Sequence, residues 1–599
     1  MSGIAGIINF KKNMFEYKSY NRLLVNDMAQ ALRHRGHDSC GEWVGEHAAF
    51  SDTRPAANDL DVGNQPMKKI VEGYEFIITY NGELYNSNEL KKNLIKFGYI
   101  FDTKSDTEVL LYTYIHYGEK CTQMLNGIYA FCIWDSMRQQ VFICRDRLGA
   151  KPLYYSKIGD TLVFGSEIKA LFRFPFLKPQ LDKTGLCEIF VMPPSRTQGI
   201  GIFKNVNELR PGCTMTINRS GTFVNRYWNL ESKENTDNFE IACEKTYDLI
   251  SDSVKCRQPC NVSSGILLSE NPGSYIIAAL AAKEAALNGK SLSVYIPEFK
   301  LCENNFDKVF CRNNPFFKFL TEIYGIKCIP LICDNNSLLK NLYDSVYYRD
   351  LPGMADLDSS LLYFCHEIKK ENTVILSGDC SNEIFGIFPP SLDNASVMNK
   401  ILKPAVSETL KLEEYSRMRY DETIAEAPYF DGDEKKKKER QLYYLNFNRC
   451  ICALLDRCER MSTASGVKLR MPFCDYRAAE YLQNIPYNIR TANNTPETLL
   501  FEAFKNKLPQ KLPSFSYRQY SPQYNPRYEK AVRGLLFEIL EDSSSPLMTF
   551  FDRQSVIELC SEHSHSEKPF FGRVMALPQF MGYLIQIDYW LREYNPRLV

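Results

Sequence analysis

From about residue 239 onward, short apolar strands alternate with helical stretches, and this alternation limits the possible fold more than any other feature of the chain. The strands read GILLS, SLSVYI, KCIPLI and NTVILSG, and helical stretches such as SSLLYFCHEIKKE lie between them. Parallel strands need long crossovers of this kind, so the pattern predicts a parallel α/β sheet. From about Ser407 helices dominate, and the charged stretch DGDEKKKKERQ predicts the start of a solvated helix.

The first 230 residues follow a different pattern. Short strands with alternating apolar residues, such as GIAGIINF, YEFIITY, YAFCIWD and QVFICRD, are separated by turn residues and by two helical stretches. This predicts a sheet-rich domain. The polar segment from Glu231 to Asn238 separates the two patterns. We therefore expect two domains, at residues 1–230 and 239–599, and a chain of 599 residues is long enough for a sizeable core in each.

Charge and cysteine content argue against several classes of function. Lys+Arg and Asp+Glu both number 72, so a net charge of +0 provides no basic field for nucleic acid or for an anionic membrane. The sequence contains no run of about 18 apolar residues and no signal-peptide pattern, which disfavours membrane spanning and secretion. Its 20 cysteines include no CxxC pair, which indicates free thiols in a reducing cytoplasm rather than a zinc site.

The N-terminal sequence MSGIAGIINF contains a candidate nucleophile. Removal of Met1 would leave Ser2 as the first residue, at the start of a predicted strand. An α-amine titrates at about pH 8. It can therefore accept the proton of the side chain of its own residue, as in N-terminal nucleophile hydrolases. This start alone is weak evidence, because serine often follows the initiator methionine.

Several further segments resemble, in order and spacing, the glutaminase domain of glutamine-hydrolysing asparagine synthetases. These segments are LRHRGHDSCGEW, GNQPM after Arg54, TYNGELYN, KSDTEVLLYTYIHYG, LNGIYAFCIWD, CRDRLGAKPLYY and FGSEIKAL, and they cover nearly all of the first 230 residues. The resemblance implies an αββα sandwich of the N-terminal nucleophile type, in which the side chain at position 2 attacks the amide of glutamine. Asn81 and the Gly82 backbone N–H would form the oxyanion hole.

The same resemblance implies a clamp for the two charged ends of glutamine. Arg54 would pair with the α-carboxylate, while Glu83 and Asp106 would hold the ammonium group. The nucleophile departs from the family, which uses Cys at position 2 where this chain has Ser2. An alcohol needs full assistance from a base, whereas a thiol is partly ionised at neutral pH. We therefore expect glutamine to bind but to be hydrolysed slowly or not at all.

The resemblance continues through the second predicted domain, where it implies the α/β fold of an ATP-pyrophosphatase-type synthetase with a helical C-terminal part. The segments are YRDLPGMADLDSSLLYFCHEIKK, NTVILSGDCSNEIFG, LLDRCERMSTASGVKLRMPFCDYR and PFFGRVMALPQFMGYLIQIDYWLREYNP, and they follow the bacterial branch of the family. The family uses ATP and Mg²⁺. The positions that correspond to its ATP site are Leu267, Ser269, Ser274, Val294, Ser377 and Gly378.

The bend after the first of these strands has lost the groups that a pyrophosphate site needs. The family reads GGLDSS after LLS, with glycine N–H groups that hold pyrophosphate and an Asp that helps to hold Mg²⁺, but this chain reads ENPGSY. Glu270 adds a negative charge, Pro272 removes an N–H donor and Gly273 replaces the carboxylate. We therefore predict a disabled pyrophosphate site and assign no metal ligand.

Other positions of the synthetase pattern change in the same direction. Asp379 replaces a catalytic Glu of the family, and Asn382 replaces an Asp. Glu497 occupies the position of a Lys that stabilises negative charge, and one unit charge at about 4 Å contributes about 4 kcal/mol when the effective dielectric constant is near 20. Ser516 and Tyr517 replace a basic pair.

These changes predict a pseudoenzyme, an asparagine-synthetase homologue that binds glutamine or associates with a partner as a homodimer or a heterodimer with an active relative. The alternative is an active glutamine-hydrolysing asparagine synthetase, or a related amidotransferase that acts on another carboxylate. The bend from Glu270 to Tyr275 distinguishes the two, because an ordered ATP–magnesium complex there would restore the enzyme interpretation.

Overall fold

A computed structural model of the chain describes residues 2–54, 64–258, 264–269, 271–299, 315–386, 394–429, 433–491, 498–508, 526–561 and 576–599. The chain divides into two compact units. The first unit comprises Met1–Gly185, Gln198–Asn229 and Pro596–Val599. The second unit comprises Leu186–Thr197 and Leu230–Asn595.

The first unit is built on two antiparallel sheets. Within the described residues, one sheet contains β1 (Gly3–Ile8), β2 (Ser39–Val44), β3 (Ala48–Arg54), β8 (Tyr154–Ile158), β9 (Thr161–Gly165) and β11 (Asn207–Glu208), in the order β11-β8-β9-β1-β3-β2. The other contains β4 (Met67–Val71), β5 (Tyr74–Leu84), β6 (Gly127–Asp135), β7 (Gln140–Arg145), β12 (Cys213–Asn218) and β13 (Gly221–Arg226), in the order β13-β12-β7-β6-β5-β4. A short parallel pair joins β10 (Gln180–Leu181) to β19 (Arg597–Leu598).

Helices cover the outer faces of these sheets. The helices that begin in this unit are α1 (Lys18–Ala31), α2 (Ser87–Lys96), α3 (Asp106–Tyr117), α4 (Cys121–Met124), α5 (Ile168–Leu171) and α6 (Lys183–Val191). Helix α1 packs on β1, β2 and β3, whereas α3 packs on β5. The predicted αββα sandwich is therefore confirmed.

Alternation along the strands places apolar side chains in two cores. Ile77 on β5 lies in the core between the sheets, with Ile4 and Phe50 of the other sheet. Its neighbour Ile78 lies in the outer core together with Leu110 of α3. Successive strand residues face opposite sides of a sheet, so one strand contributes to both cores.

The prediction of two helical stretches in the first unit is wrong, because α1, α2 and α3 have 14, 10 and 12 residues. Helix α3 is almost continuously apolar (EVLLYTY), and its residues are buried from Thr107 to Tyr114. Such a run has no clear helical period and can equally be interpreted as a buried strand. In the folded protein this segment forms a helix that packs on β5.

The second unit contains a parallel sheet, as predicted. Its strands are β14 (Ser264–Leu267), β15 (Leu292–Phe299), β16 (Lys327–Cys333), β17 (Val374–Ser377) and β18 (Lys468–Arg470), in the order β16-β15-β14-β17-β18. Every residue of β14 and β17 is buried, as expected for central parallel strands covered on both faces. The strand order changes direction between β14 and β17. Ligands bind at such a switch point in open α/β sheets.

Helices make up most of the remaining described residues of this unit. They are α7 (Phe239–Arg257), α8 (Pro272–Leu287), α9 (Pro315–Tyr324), α10 (Asn335–Arg349), α11 (Asp356–Lys369), α12 (Ser381–Ile384), α13 (Asn394–Ile401), α14 (Pro404–Leu410), α15 (Leu412–Ala425), α16 (Glu434–Asn446), α17 (Cys452–Ala464), α18 (Tyr476–Asn484), α19 (Tyr487–Arg490), α20 (Thr498–Lys505), α21 (Pro526–Glu541), α22 (Arg553–Ser561) and α23 (Leu577–Tyr594). The predicted solvated helix is confirmed, because α16 begins with exposed Lys435 and Lys436. None of the helices in the described ranges has the length and apolar character needed to cross a membrane.

Replacement of Gly6 by Ala should destabilise the first unit. A Cβ at this position of β1 would lie 2.6 Å from the Phe164 ring and 2.7 Å from the Ala49 carbonyl oxygen, and both neighbours are fully buried. Overpacking of this kind typically costs about 1–3 kcal/mol. Denaturant unfolding of Gly6→Ala should show this loss. Gly534→Ala in α21, where the added Cβ meets no atom within 4 Å, is the control and should not lose stability. Equal stability of the two variants would contradict the packing argument.

Candidate functional sites

A buried ion network holds the backbone of the candidate nucleophile. Ser2 immediately precedes β1, and its carbonyl oxygen accepts a hydrogen bond from Arg35 Nε at 3.1 Å. The Arg35 guanidinium is fully buried and pairs with Glu167 at 2.7 Å. Glu167 also contacts His34 and Lys169, at 3.0 and 2.8 Å. Sequence reasoning missed this network, although all four residues lie in the motifs quoted above.

Inward-facing side chains of three strands meet at one end of the space between the sheets. Strands β1, β3 and β5 each contribute apolar residues to the inter-sheet core. Because side chains alternate along a strand, polar residues that lie an even number of positions from these apolar residues face the same side. The segment before β4 links the strand ends, because Asn64 accepts from Arg54 at 3.0 Å while Gln65 accepts from the Tyr80 N–H at 2.7 Å. The residues on these inner faces are Ser2, Asp52, Arg54, Asn81 and Glu83.

Asp106 lies at the same end of β5. It is the first residue of α3, and its Oδ2 accepts hydrogen bonds from the Tyr80 hydroxyl at 2.9 Å and from the Leu84 N–H at 3.0 Å. Tyr80 and Leu84 flank Glu83, the other predicted ligand of the ammonium group. The structure therefore brings the two predicted carboxylates to one strand end.

Gly82 lies between Asn81 and Glu83 on β5, opposite Tyr129 of β6. A Cβ at Gly82 would lie 2.3 Å from the carbonyl oxygen of Ile128. Because no real Cβ contact is that short, the close approach of β5 and β6 requires glycine at this position.

On the inner faces of these strands, two fully buried polar side chains have no hydrogen-bond partner in the described part of the chain. They are Asn81, through both its amide nitrogen and its oxygen, and Asp52, through both carboxylate oxygens. Asp52 forms an ion pair with Arg54, whose Nε lies 3.8 Å from its Oδ1. Burial raises the pKa of Asp52 to about 7, although Arg54 opposes the shift. Unpaired buried groups typically cost about 1–3 kcal/mol each, which indicates a site that is completed by a ligand.

The predicted nucleotide residues of the second unit also lie together. Leu267 and Ser377 are partners at the carboxyl ends of β14 and β17, and Val294 pairs with Ile266 on the other side of β14. The loops that follow are in contact, since a Cβ on Gly378 would lie 2.2 Å from the Ser274 nitrogen.

The donors at the start of α8 are satisfied from within the bend. Asn271 Oδ1 accepts from the Gly273 N–H at 2.8 Å and from Ser381 Oγ at 2.8 Å. The Asn271 carbonyl accepts from the Ser274 N–H at 2.9 Å, and the hydroxyls of Ser269 and Ser274 lie 2.7 Å apart. A helix N-terminus binds phosphate through free N–H groups, and here those groups already have partners.

In the loop after β17, the carboxylate of Asp379 also has hydrogen-bond partners within the protein. Asp379 Oδ2 accepts from Ser377 Oγ at 2.7 Å and from Cys458 Sγ at 3.6 Å. Burial and the nearby Asp379 raise the pKa of Glu383 to about 7. Asn382 Oδ1 is buried without a hydrogen-bond partner in the described part of the chain. Within the described residues, no three His, Cys, Asp or Glu side chains are grouped so that they could hold a metal ion.

Several predicted positions lie outside the described residues. They are Met1, Glu270, Glu497, Ser516 and Tyr517.

Comparison with known families and proteins gives matches over both units. The family described as glutamine amidotransferase domain matches residues 1–228, and the family described as asparagine synthase matches residues 245–592. The chain is 38% identical over 615 residues to asparagine synthetase [glutamine-hydrolyzing] 3 of Bacillus subtilis (strain 168), covering 99% of both chains. Asparagine synthetase [glutamine-hydrolyzing] 1 of the same organism is 27% identical and is covered over 85% of both chains.

Replacement of Asn271 by Ala should loosen the bend before α8. Loss of an N-cap side chain typically costs about 1 kcal/mol, or about fivefold in a local opening equilibrium. Hydrogen exchange should therefore accelerate by about that factor at Gly273. Asn288→Ala at the exposed C-terminal end of α8 removes only bonds to the carbonyl and to the side chain of Glu284 and is the control. Unchanged exchange at Gly273 in Asn271→Ala would mean that the side chain does not hold the bend closed.

Proposed function

This chain belongs to the family of glutamine-hydrolysing asparagine synthetases, and from this premise we propose that it binds glutamine in its first unit, hydrolyses it slowly through Ser2, and does not activate ATP in its second unit. Its role is then to respond to glutamine or to associate with a partner chain. The single observation that carries the proposal is Asn271, whose side-chain Oδ1 accepts from the Gly273 N–H and whose carbonyl accepts from the Ser274 N–H in the bend where the family places pyrophosphate.

The arrangement of the first unit supports glutamine binding. Arg54 supplies a cation for the α-carboxylate, and Asp106 and Glu83 supply anions for the ammonium group at the end of β5. Asn81 is buried with both polar atoms unpaired, as expected for an amide that meets the carbonyl oxygen of a bound substrate. Only the nucleophile has changed, from a thiol to an alcohol, and this lowers reactivity without removing the binding groups.

The residues of the second unit do not fit ATP and Mg²⁺. Phosphate needs free N–H donors, but the Gly273 and Ser274 donors have internal acceptors and Pro272 has none. Magnesium needs carboxylate oxygens that are free to approach it, but Asp379 Oδ2 is engaged by Ser377 and Cys458. No step of a reaction can be assigned to ATP on these residues.

An active asparagine synthetase is the second candidate function. The names of the Bacillus subtilis relatives favour it, and 38% identity over 99% of both chains shows that the framework is retained. It requires Asn271 to release its hydrogen bonds and the bend to open when ATP arrives. The two candidates differ in whether pyrophosphate is formed.

Purified protein given ATP, Mg²⁺, aspartate and ammonia should release no pyrophosphate. Ammonia bypasses Ser2, so the assay tests the second unit alone. Asn271→Gly should also remain inactive, because residues that act on one transition state fail as a unit and Pro272 and Gly273 are still in place. Pyrophosphate and asparagine are measured separately, with an active family member as the positive control. Steady formation of both by the unmodified chain would establish the second candidate.

Glutamine should bind to the unmodified chain, and Arg54→Ala should weaken it at least tenfold. The loss of a charge-assisted pair to the α-carboxylate typically removes about 1.5–3 kcal/mol. Calorimetry measures the affinity, and Arg22→Ala, which removes only an exposed partner of Glu42, is the matched control. Absence of binding, or equal affinity in both variants, would contradict the proposed site.

A further inference from the structure

We propose that Gln65 is a positioning residue of the glutamine site, which sets the separation between the group that binds the α-carboxylate and the group that binds the ammonium. The inference rests on the proposed binding of glutamine and adds the residue that connects the two halves of that site. Three observations carry it: the two halves belong to different sheets, the Gln65 side chain bonds to both β5 and α3, and the segment that contains Gln65 also binds Arg54.

The two halves of the proposed clamp lie on different parts of the first unit. Arg54 is the last residue of β3, in the sheet that also contains β1 and β2. Glu83 lies on β5 of the other sheet, and Asp106 is the first residue of α3, which packs on β5. An α-amino acid carries its carboxylate and its ammonium on one carbon atom. The groups that bind both must therefore be held at a fixed separation, although they come from separate sheets.

The buried side chain of Gln65 links α3 to β5. Its Oε1 accepts from the Tyr80 N–H at 2.7 Å, and its Nε2 donates to Thr107 Oγ1 at 3.1 Å. A backbone N–H can only donate, so the amide oxygen faces Tyr80 and the amide nitrogen faces Thr107. The Tyr80 hydroxyl in turn donates to Asp106 Oδ2 at 2.9 Å. Because Asp106 and Thr107 are adjacent in the chain, the four residues form a closed ring that includes the proposed ligand of the ammonium group.

The backbone around Gln65 is held by the other sheet. A Cβ on Gly41 of β2 would lie 1.7 Å from the Gln65 carbonyl oxygen, so the two segments are in direct contact there. The preceding residue, Asn64, accepts from Arg54 Nη2 at 3.0 Å, and Arg54 Nε donates to Ser39 Oγ of β2 at 3.3 Å. Two adjacent residues, Asn64 and Gln65, therefore connect the cation of the clamp to its anion.

Glu108, two residues after Asp106 on α3, provides the contrast. Its carboxylate accepts from the N–H groups of Asp102 and Thr103 at 2.9 and 2.7 Å, and it pairs with Lys69 of β4. These contacts hold the loop before α3 and fix the helix to its own sheet. The contacts of Gln65 differ, because they extend from α3 to the segment that binds the cation of the clamp.

This connection determines which ligands fit the charged end of the site. With Arg54 and Asp106 held at one separation, a ligand whose carboxylate and ammonium share one carbon contacts both groups at once. When the bond to Thr107 is lost, the start of α3 can shift relative to Arg54, and the ligand then contacts one group but not the other. The bond from Gln65 to β5 does not involve Thr107, so Asn81 keeps its position. Gln65 thus contributes to selectivity for α-amino acids at the charged end of the ligand.

The test measures glutamine affinity by calorimetry in a cycle of variants. Thr107→Val removes the hydroxyl that Gln65 binds but keeps the side-chain shape, and it should weaken binding about fivefold. Thr113→Val is the matched control on the same helix, because its hydroxyl donates to the Val109 carbonyl within α3, and it should change the affinity less than about twofold. Asp106→Asn removes one charge and should weaken binding about tenfold. In the Asp106→Asn background, Thr107→Val should add less than about twofold, because the connection acts through Asp106.

The outcomes separate this inference from the proposed function. Full glutamine affinity in both Thr107→Val and Gln65→Met, which removes both bonds of the side chain, would overturn the inference and leave the glutamine site in place. An equal loss with and without Asp106→Asn would also overturn it, because a purely structural effect does not depend on Asp106. The same holds if Thr113→Val weakens binding as much as Thr107→Val. If the unmodified chain binds no glutamine, the proposed function fails and this inference fails with it.

Discussion

Backbone hydrogen bonding between neighbouring strands positions the candidate residues at the described strand ends of both units. Strand β1 is paired on both sides, by β3 and β9, so the residue that precedes it cannot move away from the end of the sandwich. Strand β14 is likewise held between β15 and β17, which places two loops in contact at the switch point of the parallel sheet. The ladders fix the sites because each buried N–H and C=O must find a partner. Chemistry then depends on the few side chains at the strand ends.

The two units differ in the hydrogen-bond pairing of the polar groups at their strand ends. In the first unit, Asp52 and Asn81 are buried without hydrogen-bond partners in the described structure, a state that costs free energy unless a ligand supplies the missing bonds. In the second unit, Asn271 Oδ1 accepts from the Gly273 N–H and from Ser381 Oγ, while Asn382 Oδ1 in the neighbouring loop has no partner among the described residues. A ligand in the first site could supply the missing bonds, whereas the N–H groups of Gly273 and Ser274 in the bend already have acceptors. This difference supports retained glutamine binding together with a closed nucleotide bend.

The proposed loss of the nucleotide site does not require loss of the fold. The strands β14 and β17 remain fully buried and in register, and α8 remains well capped. An Asn side chain can replace a phosphate at a helix N-terminus because both present oxygen acceptors to the same N–H groups. Asn271 therefore caps the helix through the Gly273 N–H, a donor that the proposal assigns to the lost phosphate site. The proposed closure of the nucleotide bend is therefore compatible with the retained framework of the family.

The sequence by itself determined the layers and the order of elements, because periods of two and of about 3.6 residues specify which face of each element is apolar. It also indicated that Ser2, Arg54 and Asn81 belong to one site, through their motifs. It did not resolve α3, whose continuous apolar run has no period, and it missed Asp52 and Asn271. Only the tertiary structure shows which of these polar atoms are paired, since pairing depends on segments distant in sequence, such as Ser381 for Asn271. Residue type shows what a group can bind, but only packing shows whether it is already bound.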